Sequence, residues 1–412
     1  MKELLNWIND LNKKTYVRID RTVLNSETFW YYDDQTGGIK NRRNSFFSIM
    51  GIKGIVNGIE IQQPIIIQNE IGYLGIICKD FNGITKYLMQ AKIEPGNINC
   101  VQISPTIQAT KSNFTQLHGG KKPHYLEYFI NANDYEILAD QIQSEQSSRF
   151  YKKRNRNMII KVKEDIEIVN DNFKWMSLSE IKQLMKYENL VNMDTRTVLS
   201  CVPFISCNSK DFEATKNSKF WNSFKCNSYY EEITEIYHKI NNYKMFSFNS
   251  SRIVRLDELD QWESSKHGVK CKSEYPYEVI FCDIEIEGRE VTKWIQPLFK
   301  ANGRATFGLF RTMVNGIYKF LVKIVPEIGC FDGIEIGPTI QLEYGASFNE
   351  DNIQVLFKNQ LKKDEGIVFD SILSEEGGRF YHEENRNLII DIDYMTIKDV
   401  IPKDYILVSL NA

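Results

Sequence analysis

The sequence predicts an α+β fold made of two tandem copies of one domain, joined by a helical connection. Strand-like runs alternate with turn signals between residues 29 and 109, and Asn82-Gly83 joins 72–79 and 86–93 as a hairpin. This pattern then returns with a constant offset of 233 residues, which pairs Pro64 with Pro297. Helical patterns fall mainly at the amino terminus and between 170 and 205.

Long matches in register support the duplication. The same offset pairs Glu94 with Glu327 and the Pro-Thr-Ile-Gln run at 105–108 with the run at 338–341. Farther on, Ser144-Glu145 and Arg149-Phe150-Tyr151 are matched by Ser374-Glu375 and Arg379-Phe380-Tyr381 at an offset of 230. We therefore expect a first repeat with a leading helix at 1–170, a helical connection at 171–250 and a second repeat at 251–412.

Local patterns predict the elements in chain order. Leu4, Leu5, Ile8 and Leu11 share one face, which predicts a helix over 2–13. In the connection, Ser177 and Glu180 have the spacing of a capping box, which predicts a helix beginning there. The other predicted elements are strands at 64–68, 98–109, 125–130 and 158–162, and helices at 134–143, after Asp194 and at 230–240.

Composition excludes several classes of protein. The 412 residues carry a net charge of −3, which argues against a general nucleic-acid binder. No apolar run approaches the roughly 20 residues of a membrane helix, and the amino terminus does not resemble a signal peptide, so a cytoplasmic location is expected. The eight cysteines and five histidines lack metal-ligand spacing, and no glycine-rich phosphate loop is present. We therefore predict no metal and no cofactor.

Comparison of the two copies separates shared from distinct residues. Glu94 and Glu327 occur in both copies, and a structural role is as plausible as catalysis. The first copy alone has Lys92 (Val325 in the second), His118-Gly119-Gly120 and a basic run at 152–154. The second copy has Gly377-Gly378, whose backbone N–H groups could approach an anion closely.

These motifs resemble the NDP-hexose 2,3-dehydratase family over nearly the whole chain. The resemblance rests on Glu-Pro-Gly-Asn at 94–97, Pro-Thr-Ile-Gln-Ala-Thr-Lys-Ser-Asn-Phe at 105–114, Phe-Tyr-Lys-Lys-Arg-Asn-Arg-Asn at 150–157 and Ser-Glu-Glu-Gly-Gly-Arg-Phe-Tyr at 374–381. It implies two Nudix-like repeats, a homodimer and nucleotide-sugar binding in both repeats. The implied reaction removes water from a nucleoside-diphosphate-4-keto-6-deoxyglucose, with dTDP as the expected nucleotide and an NAD(P)H-dependent 3-ketoreductase acting next. Asn41 departs from the histidine expected at that position, which puts an imidazole role there in doubt.

Elimination from a 4-ketosugar requires a general base, a general acid and donors for an enolate oxygen. The acid–base set is expected to be Lys92, His118 and Tyr151 of the first copy, or Glu375, Glu376 and Tyr381 of the second. The residues expected to bind substrate are Trp30, Thr110, Lys111, Ser112, Asn113, Phe114, Arg149, Lys152, Arg289, Trp294, Gln296, Thr339, Gln341, Gly377, Gly378 and Arg379.

Two other functions remain open at the level of sequence. A catalytically silent protein that binds nucleotide sugars, or acts as a scaffold, would need the same binding residues. A metal-dependent diphosphate hydrolase is disfavoured, because neither 143–149 nor 373–379 continues into the glutamate array that binds magnesium in Nudix hydrolases.

Overall fold

A computed structural model describes residues 1–110, 122–202, 218–226, 230–288 and 291–412. No helix among these residues is long and apolar enough to cross a membrane. The α-helices are α1 Lys2–Lys14, α2 Leu126–Ile130, α3 Leu178–Leu184, α4 Met193–Ser200, α5 Ser218–Phe224, α6 Tyr230–Phe246, α7 Asn352–Lys363 and α8 Tyr394–Ile397.

Each repeat contributes two β-sheets to the described structure. The strands up to the connection are β1 Val17–Arg21, β2 Trp30–Asp33, β3 Gly38–Asn41, β4 Ser48–Val56, β5 Ile59–Ile67, β6 Gly72–Phe81, β7 Ile84–Ile93, β8 Val101–Ser104, β9 Ile107–Ala109, β10 Glu136–Ser144, β11 Phe150–Tyr151, β12 Arg154–Lys161 and β13 Phe173–Ser177. The later strands are β14 Ser250–Val254, β15 Trp262–Ser265, β16 Gly268–Cys271, β17 Tyr277–Ile286, β18 Lys293–Ala301, β19 Thr306–Val314, β20 Ile317–Val325, β21 Glu335–Gly337, β22 Ile340–Leu342, β23 Ile367–Ser374, β24 Phe380–Tyr381, β25 Glu384–Asp391 and β26 Tyr405–Ser409.

The sheets repeat one topology. In the first repeat, one sheet has the order β11-β5-β4-β3-β2, and the other has the order β10-β12-β6-β7-β13 with β8 on β7 and β9 on β6. In the second repeat, β15-β16-β17-β18-β24 corresponds to the former and β21-β20-β19-β25-β23 to the latter, with β22 on β19 and β26 on β20. The sheets mix parallel and antiparallel pairs: β12 runs parallel to β6, and β25 runs parallel to β19. The expected α+β duplication is therefore present.

The two repeats exchange equivalent strands. β1, at the start of the chain, pairs with β17 of the second repeat, so that Val17 lies opposite Ile286. β14, which lies 233 residues after β1, pairs instead with β4 of the first repeat, so that Ser250 lies opposite Ile55. Each repeat thus completes a sheet of the other.

Some residues shared by both copies form hydrogen bonds that join neighbouring strands. The Thr106 hydroxyl donates to the Leu88 carbonyl and accepts from the Ile77 N–H, and Thr339 does the same with Leu321 and Phe310. Thr339 is 1% exposed and joins β19 to β20, and its predicted contact with substrate stays a prediction.

Glycines at equivalent positions let a helix approach each sheet. A Cβ at Gly75 would overlap the ring of Phe129 on α2, and one at Gly308 would overlap the ring of Phe357 on α7. These helices occupy equivalent places in the two repeats, although α2 has five residues and α7 has twelve.

Most predicted elements are confirmed, and two are wrong. The Ser177–Glu180 capping box begins α3, and the hairpin glycines Gly83 and Gly316 have φ of 82° and 78°. Residues 134–143, predicted as a helix, form most of β10, which pairs with β12 around a bulge at Ile137/Ala139. Residues 125–130, predicted as a strand, form α2, because Leu126 and Phe129 are spaced to bury one helical face.

Candidate active site between the repeats

Each repeat places a Glu-Pro-Gly turn against the arginine-bearing loop of the other repeat. The Gly96 N–H donates to the Gly377 carbonyl (2.7 Å), and the Gly96 carbonyl accepts from the His382 N–H (2.9 Å). Gly329 makes the equivalent contacts with Ser147 and Lys152, at 2.9 Å and 2.8 Å. The turns bring Glu94 to Arg379 and Glu327 to Arg149, close enough for the charges to interact.

Two inter-repeat sites result, and each contains residues from both repeats. We define the first site by Lys92, Glu94, Gln108, Lys153, Glu376 and Arg379. We define the second site by Arg149, Glu327, Gln341, Glu343 and Glu383. The acid–base set was expected in one repeat or the other, whereas the structure brings Lys92 of the first and Glu376 of the second into one site.

In the first site, an ion pair holds the glutamate of the turn. Lys92 Nζ lies 3.1 Å from Glu94 Oε1, and Gln108 Nε2 donates to the same oxygen at 3.1 Å. The Lys92 side chain is 18% exposed and that of Glu94 is 6% exposed, so the pair is largely shielded from water. Partial burial strengthens the field of the ammonium group at the site.

Glu376 is the carboxyl group of the first site whose pKa best suits a proton donor at neutral pH. Burial and the negative charge of Glu94 raise the pKa of Glu376 to about 8, against the opposing charges of Arg379 and Lys92. One carboxyl oxygen accepts from the Gly378 N–H at 3.0 Å. At neutral pH this carboxyl group is mostly protonated, so it can donate a proton to a leaving group.

Arg379 is fixed between an amide and two aromatic rings. Its Nε and Nη2 donate to Gln68 Oε1 at 3.3 Å and 3.0 Å, and its guanidinium carbon lies 4.3 Å from the ring centroids of both Phe46 and Phe47. Trp30 is 2% exposed and packs on Phe47 with a centroid separation of 4.6 Å. Trp30 therefore supports this aromatic wall from the core, and its predicted contact with substrate stays a prediction.

The second site has a different charge pattern. Arg149 Nη2 donates to Glu343 at 2.9 Å, its guanidinium lies 4.2 Å from the Tyr277 ring centroid, and Gln341 donates to Glu327 at 2.6 Å. Burial is the main cause that raises the pKa of Glu327 to about 7 and that of Glu383 to about 8. Two adjoining cavities of about 240 and 380 Å³ share Arg149, Glu327, Gln341 and Glu343 in their walls.

Equivalent positions of the two sites carry different groups. Lys92, Lys153 and Glu376 of the first site correspond to Val325, Glu383 and Gln146 of the second. The first site therefore has two ammonium groups and a proton donor where the second has an alkyl group, a carboxyl group and an amide. Negative charge that develops on a substrate oxygen during a reaction is better stabilised in the first site than in the second.

Several predicted residues stabilise the fold or the contact between repeats. A Cβ at Gly377 would overlap Asn97 Oδ1, so this glycine permits the two loops to dock. Gln296 is 4% exposed, donates to the Gly378 carbonyl at 2.7 Å and accepts from Trp294 Nε1 at 2.8 Å. The anion-binding role of Gly377-Gly378 and the substrate contact of Gln296 stay predictions beside these structural contacts.

The predicted tyrosines lie in apolar clusters. Tyr151 packs with Ile65 and Ile328 and lies beneath the exposed Lys152, whose ammonium group is 5.1 Å from the ring centroid. Tyr381 packs with Cys282 and stacks on His382 at a centroid distance of 4.1 Å.

The remaining predicted residues divide into two groups. Thr110 lies just beyond β9, and Glu375 is buried between the sites, where it accepts a hydrogen bond from Asn385. His118, Lys111, Ser112, Asn113, Phe114 and Arg289 lie outside the described residues. The Asn41 carboxamide accepts from the N–H groups of Arg43 and Ser45, so it fixes a turn.

Sequence reasoning missed four groups at or beside the first site. Lys153 and Glu145 are buried and interact electrostatically, Phe46 lies on Arg379, and Asp194 enters from the connection. Lys153 was noted only as part of a basic run. The charge difference between Lys153 and Glu383 was the available signal, because it separates the two copies at an equivalent position.

Sequence comparisons match the chain to one family of known proteins. A model of the NDP-hexose 2,3-dehydratase family matches residues 1–202 and 233–412. The dTDP-4-dehydro-6-deoxy-alpha-D-glucopyranose 2,3-dehydratase of Saccharopolyspora spinosa is 33% identical over 400 residues, which cover 94% of this chain and 81% of that protein. Proteins of the same name from Streptomyces violaceoruber and Amycolatopsis orientalis are 33% and 30% identical, over 97% and 94% of this chain and 89% and 80% of their own lengths.

Proposed function

Because the chain belongs to the NDP-hexose 2,3-dehydratase family, we propose that it removes water across C2–C3 of a nucleoside-diphosphate 4-keto-6-deoxyhexose. The names of its relatives support dTDP-4-keto-6-deoxyglucose as the substrate. The product is the 3,4-diketo-2,6-dideoxy sugar. The observation that supports this proposal is that Lys92 and Glu376, from different repeats, interact electrostatically in one site, whereas the second site has Val325 and Gln146.

The chemistry assigns a role to each charged group of the first site. The C3–H bond is acidic because it lies next to the C4 ketone, and the C2 hydroxyl is β to that ketone. Glu94 takes the C3 proton as general base, while the Lys92 ammonium group stabilises the charge that forms on the C4 oxygen. Glu376 donates its proton to the departing C2 hydroxyl. The resulting enol then tautomerises to the diketone, with no net oxidation or reduction.

The second site serves as an ancillary nucleotide-sugar site in this proposal. Its cavities and the fork of Arg149 suit a polar ligand, but it lacks the counterparts of Lys92 and Glu376. The family resemblance further supports Nudix-like repeats, a homodimer and a following 3-ketoreductase. A cytoplasmic location stays a prediction.

The test replaces residues of the first site with those of the second. We expect Lys92→Val and Glu376→Gln each to lower kcat for dTDP-4-keto-6-deoxyglucose by about 100-fold or more. Glu343→Gln in the second site is the matched control, for which we expect kcat to stay within about threefold of wild type. Product is measured by mass spectrometry after trapping with a 3-ketoreductase, and deuterium exchange at C3 is followed by NMR in heavy water.

The principal alternative is a silent nucleotide-sugar-binding protein, which has the same family fold. It predicts calorimetric binding of dTDP sugars without elimination and without exchange at C3. Elimination that survives both first-site substitutions but is lost in Glu343→Gln would place the reaction in the second site and refute our assignment.

A further inference from the structure

The cavity of about 240 Å³ at the second site has an acidic wall. Among the described residues, six carboxyl groups and one guanidinium group, that of Arg149, line it. The carboxyl groups belong to Glu145, Asp194, Glu327, Glu335, Glu343 and Glu383. Of these, only Glu343 forms a salt bridge in the described structure, with Arg149 at 2.9 Å. The wall therefore has more acidic groups than its own cation can balance.

Several oxygens in this wall have no hydrogen-bond partner. Glu383 is 7% exposed, and its Oε2 is buried without a partner in the described structure. Glu145 Oε1, Gln146 Oε1 and Asn157 Oδ1, all from the first repeat, are also buried and unpartnered, and these residues line the same cavity. One donor of the wall, Arg149 Nε, is unpartnered as well. Buried polar atoms without partners are costly, so this excess of acceptors indicates a ligand that donates hydrogen bonds.

The first site has an ammonium group at the position of Glu383. The Lys153 carbonyl accepts from the Glu145 N–H at 3.0 Å, and the Glu383 carbonyl accepts from the Glu375 N–H at 2.9 Å, so the two positions are equivalent. Lys153 is 5% exposed, and its Nζ donates to the Glu70 carbonyl at 2.6 Å. The protein itself thus supplies a buried ammonium group to the first site. At the second site a carboxyl group takes that place.

The acidic wall lacks positive charge while the cavity is empty. Burial raises the pKa of Glu383 to about 8. The charges of Glu375 and Glu343 add to this effect, and that of Arg149 opposes it. Burial also raises the pKa of Glu327 to about 7. A cation that entered the cavity would favour the ionised form of both carboxyl groups.

The cation that fits this wall is organic. The described residues include no group of three or more His, Cys, Asp or Glu side chains arranged to hold a metal ion. At about 240 Å³ the cavity is smaller than the roughly 300–1,000 Å³ of a site for a drug-sized ligand, so it suits a single sugar ring. An ammonium group on such a ring has three donors for the unpartnered oxygens.

We propose that the second site selects a sugar that carries a protonated amine, and that the ammonium group binds Glu383, Glu145 and Asn157. This inference rests on the proposed function, because it names the ligand class of the ancillary nucleotide-sugar site. The nucleoside diphosphate would occupy the adjoining cavity of about 380 Å³, whose wall includes Lys323 and Tyr275.

The test compares ligands that differ in one group. dTDP-3-amino-3,6-dideoxyglucose and dTDP-4-amino-4,6-dideoxyglucose each have an ammonium group where dTDP-6-deoxyglucose has a hydroxyl. By calorimetry at pH 7, we expect at least one amino sugar to bind about tenfold more tightly, because a charge-assisted hydrogen bond is stronger than a neutral one. Glu383→Gln should reduce this preference to within about twofold. Thr197→Val, which lines the same cavity, and Lys92→Val in the first site are the controls and should keep it.

Proton release gives a second readout. The ammonium group should draw the proton from Glu383, so binding of the amino sugar should release protons at pH 7, whereas binding of dTDP-6-deoxyglucose should not. Calorimetry in buffers of different ionisation enthalpy measures this release. Its absence in wild type would overturn the pairing with Glu383.

The binding results separate this inference from the proposed function. Equal affinity for the amino and hydroxyl sugars, or a preference that survives Glu383→Gln, would overturn the inference and leave the dehydratase proposal intact. A preference lost in Lys92→Val would place the ammonium group in the first site and would also overturn it. A methyl glycoside that binds as tightly as the nucleotide-linked amino sugar would support the amine site and assign its ligand to free amino sugars. A wild-type protein with the preference but without elimination or exchange at C3 would overturn the proposed function alone.

Discussion

Replacement of Gly96 by alanine tests whether the contact between the repeats builds the first site. Both backbone groups of Gly96 bond to the second repeat, and an added Cβ would overlap the Phe380 carbonyl oxygen while lying 2.8 Å from that of Gly377. The obstructing atoms belong to the backbone, so a rotamer change cannot relieve the overlap. The turn must therefore move away from the loop that carries Glu376.

The expected magnitude follows from the bonds that would be lost. Two inter-repeat hydrogen bonds contribute about 1 kcal/mol each, and a group left buried without a partner adds about 1 kcal/mol or more, so we expect about 3 kcal/mol of lost stability. Gly333→Ala is the matched control, because its φ is +84° and nothing lies within 4 Å of an added Cβ. Strain at positive φ alone should cost about 1 kcal/mol there.

The assay is urea unfolding followed by circular dichroism, with elimination measured on the same preparations. Gly96→Ala should lose most activity even in the absence of denaturant, because Glu94 moves relative to Glu376. Gly329→Ala, which disturbs the second site in the same way, should lose stability but keep more activity. A Gly96→Ala protein no less stable than Gly333→Ala, or one with wild-type activity, would refute this reasoning.

Two predictions concern pH. If the protonated form of Glu376 is the general acid, kcat should fall about tenfold per pH unit above about 8, in line with its raised pKa; a rate that rises through this range would contradict the assignment. Glu383, whose pKa is raised by burial from 4.5 to about 8, binds more protons folded than unfolded, so its effect is to lower stability as pH rises from about 4.5 to 8. Glu383→Gln should therefore raise the free energy of unfolding at pH 8 relative to wild type more than at pH 5, and an equal change at both pH values would count against a buried, protonated Glu383.

The duplicated fold could be predicted because short stretches of the sequence contain the signals for it. Turn glycines, the capping box at Ser177 and matched motifs at constant offsets all report on neighbouring residues. The helix predicted at 134–143 was wrong because polar residues such as Asp140 and Gln143 mask the strand pattern, and pairing with β12 decides the outcome. Tertiary context overrides weak local propensity in such segments.

The composition of the candidate site could be predicted only in part. Lys92 and Glu376 were both singled out, but as alternatives in separate repeats, since linear sequence does not show that Gly96 docks on Gly377. Asp194 drew attention only as the start of a helix. Its proximity to Glu94 and Glu376 arises from the path of the connection, which no local pattern encodes.

The exchange of β1 and β14 makes the two repeats inseparable as folding units. A chain that ended before residue 250 would present the β4 edge without its partner strand and would leave β1 without β17. Unpaired edges of this kind promote association with other chains. If the two halves were expressed separately, these edge strands could pair only when the halves associate. The extent of that association would depend on protein concentration. In the continuous chain the two repeats meet within one molecule. The contact that builds both sites therefore forms at any protein concentration.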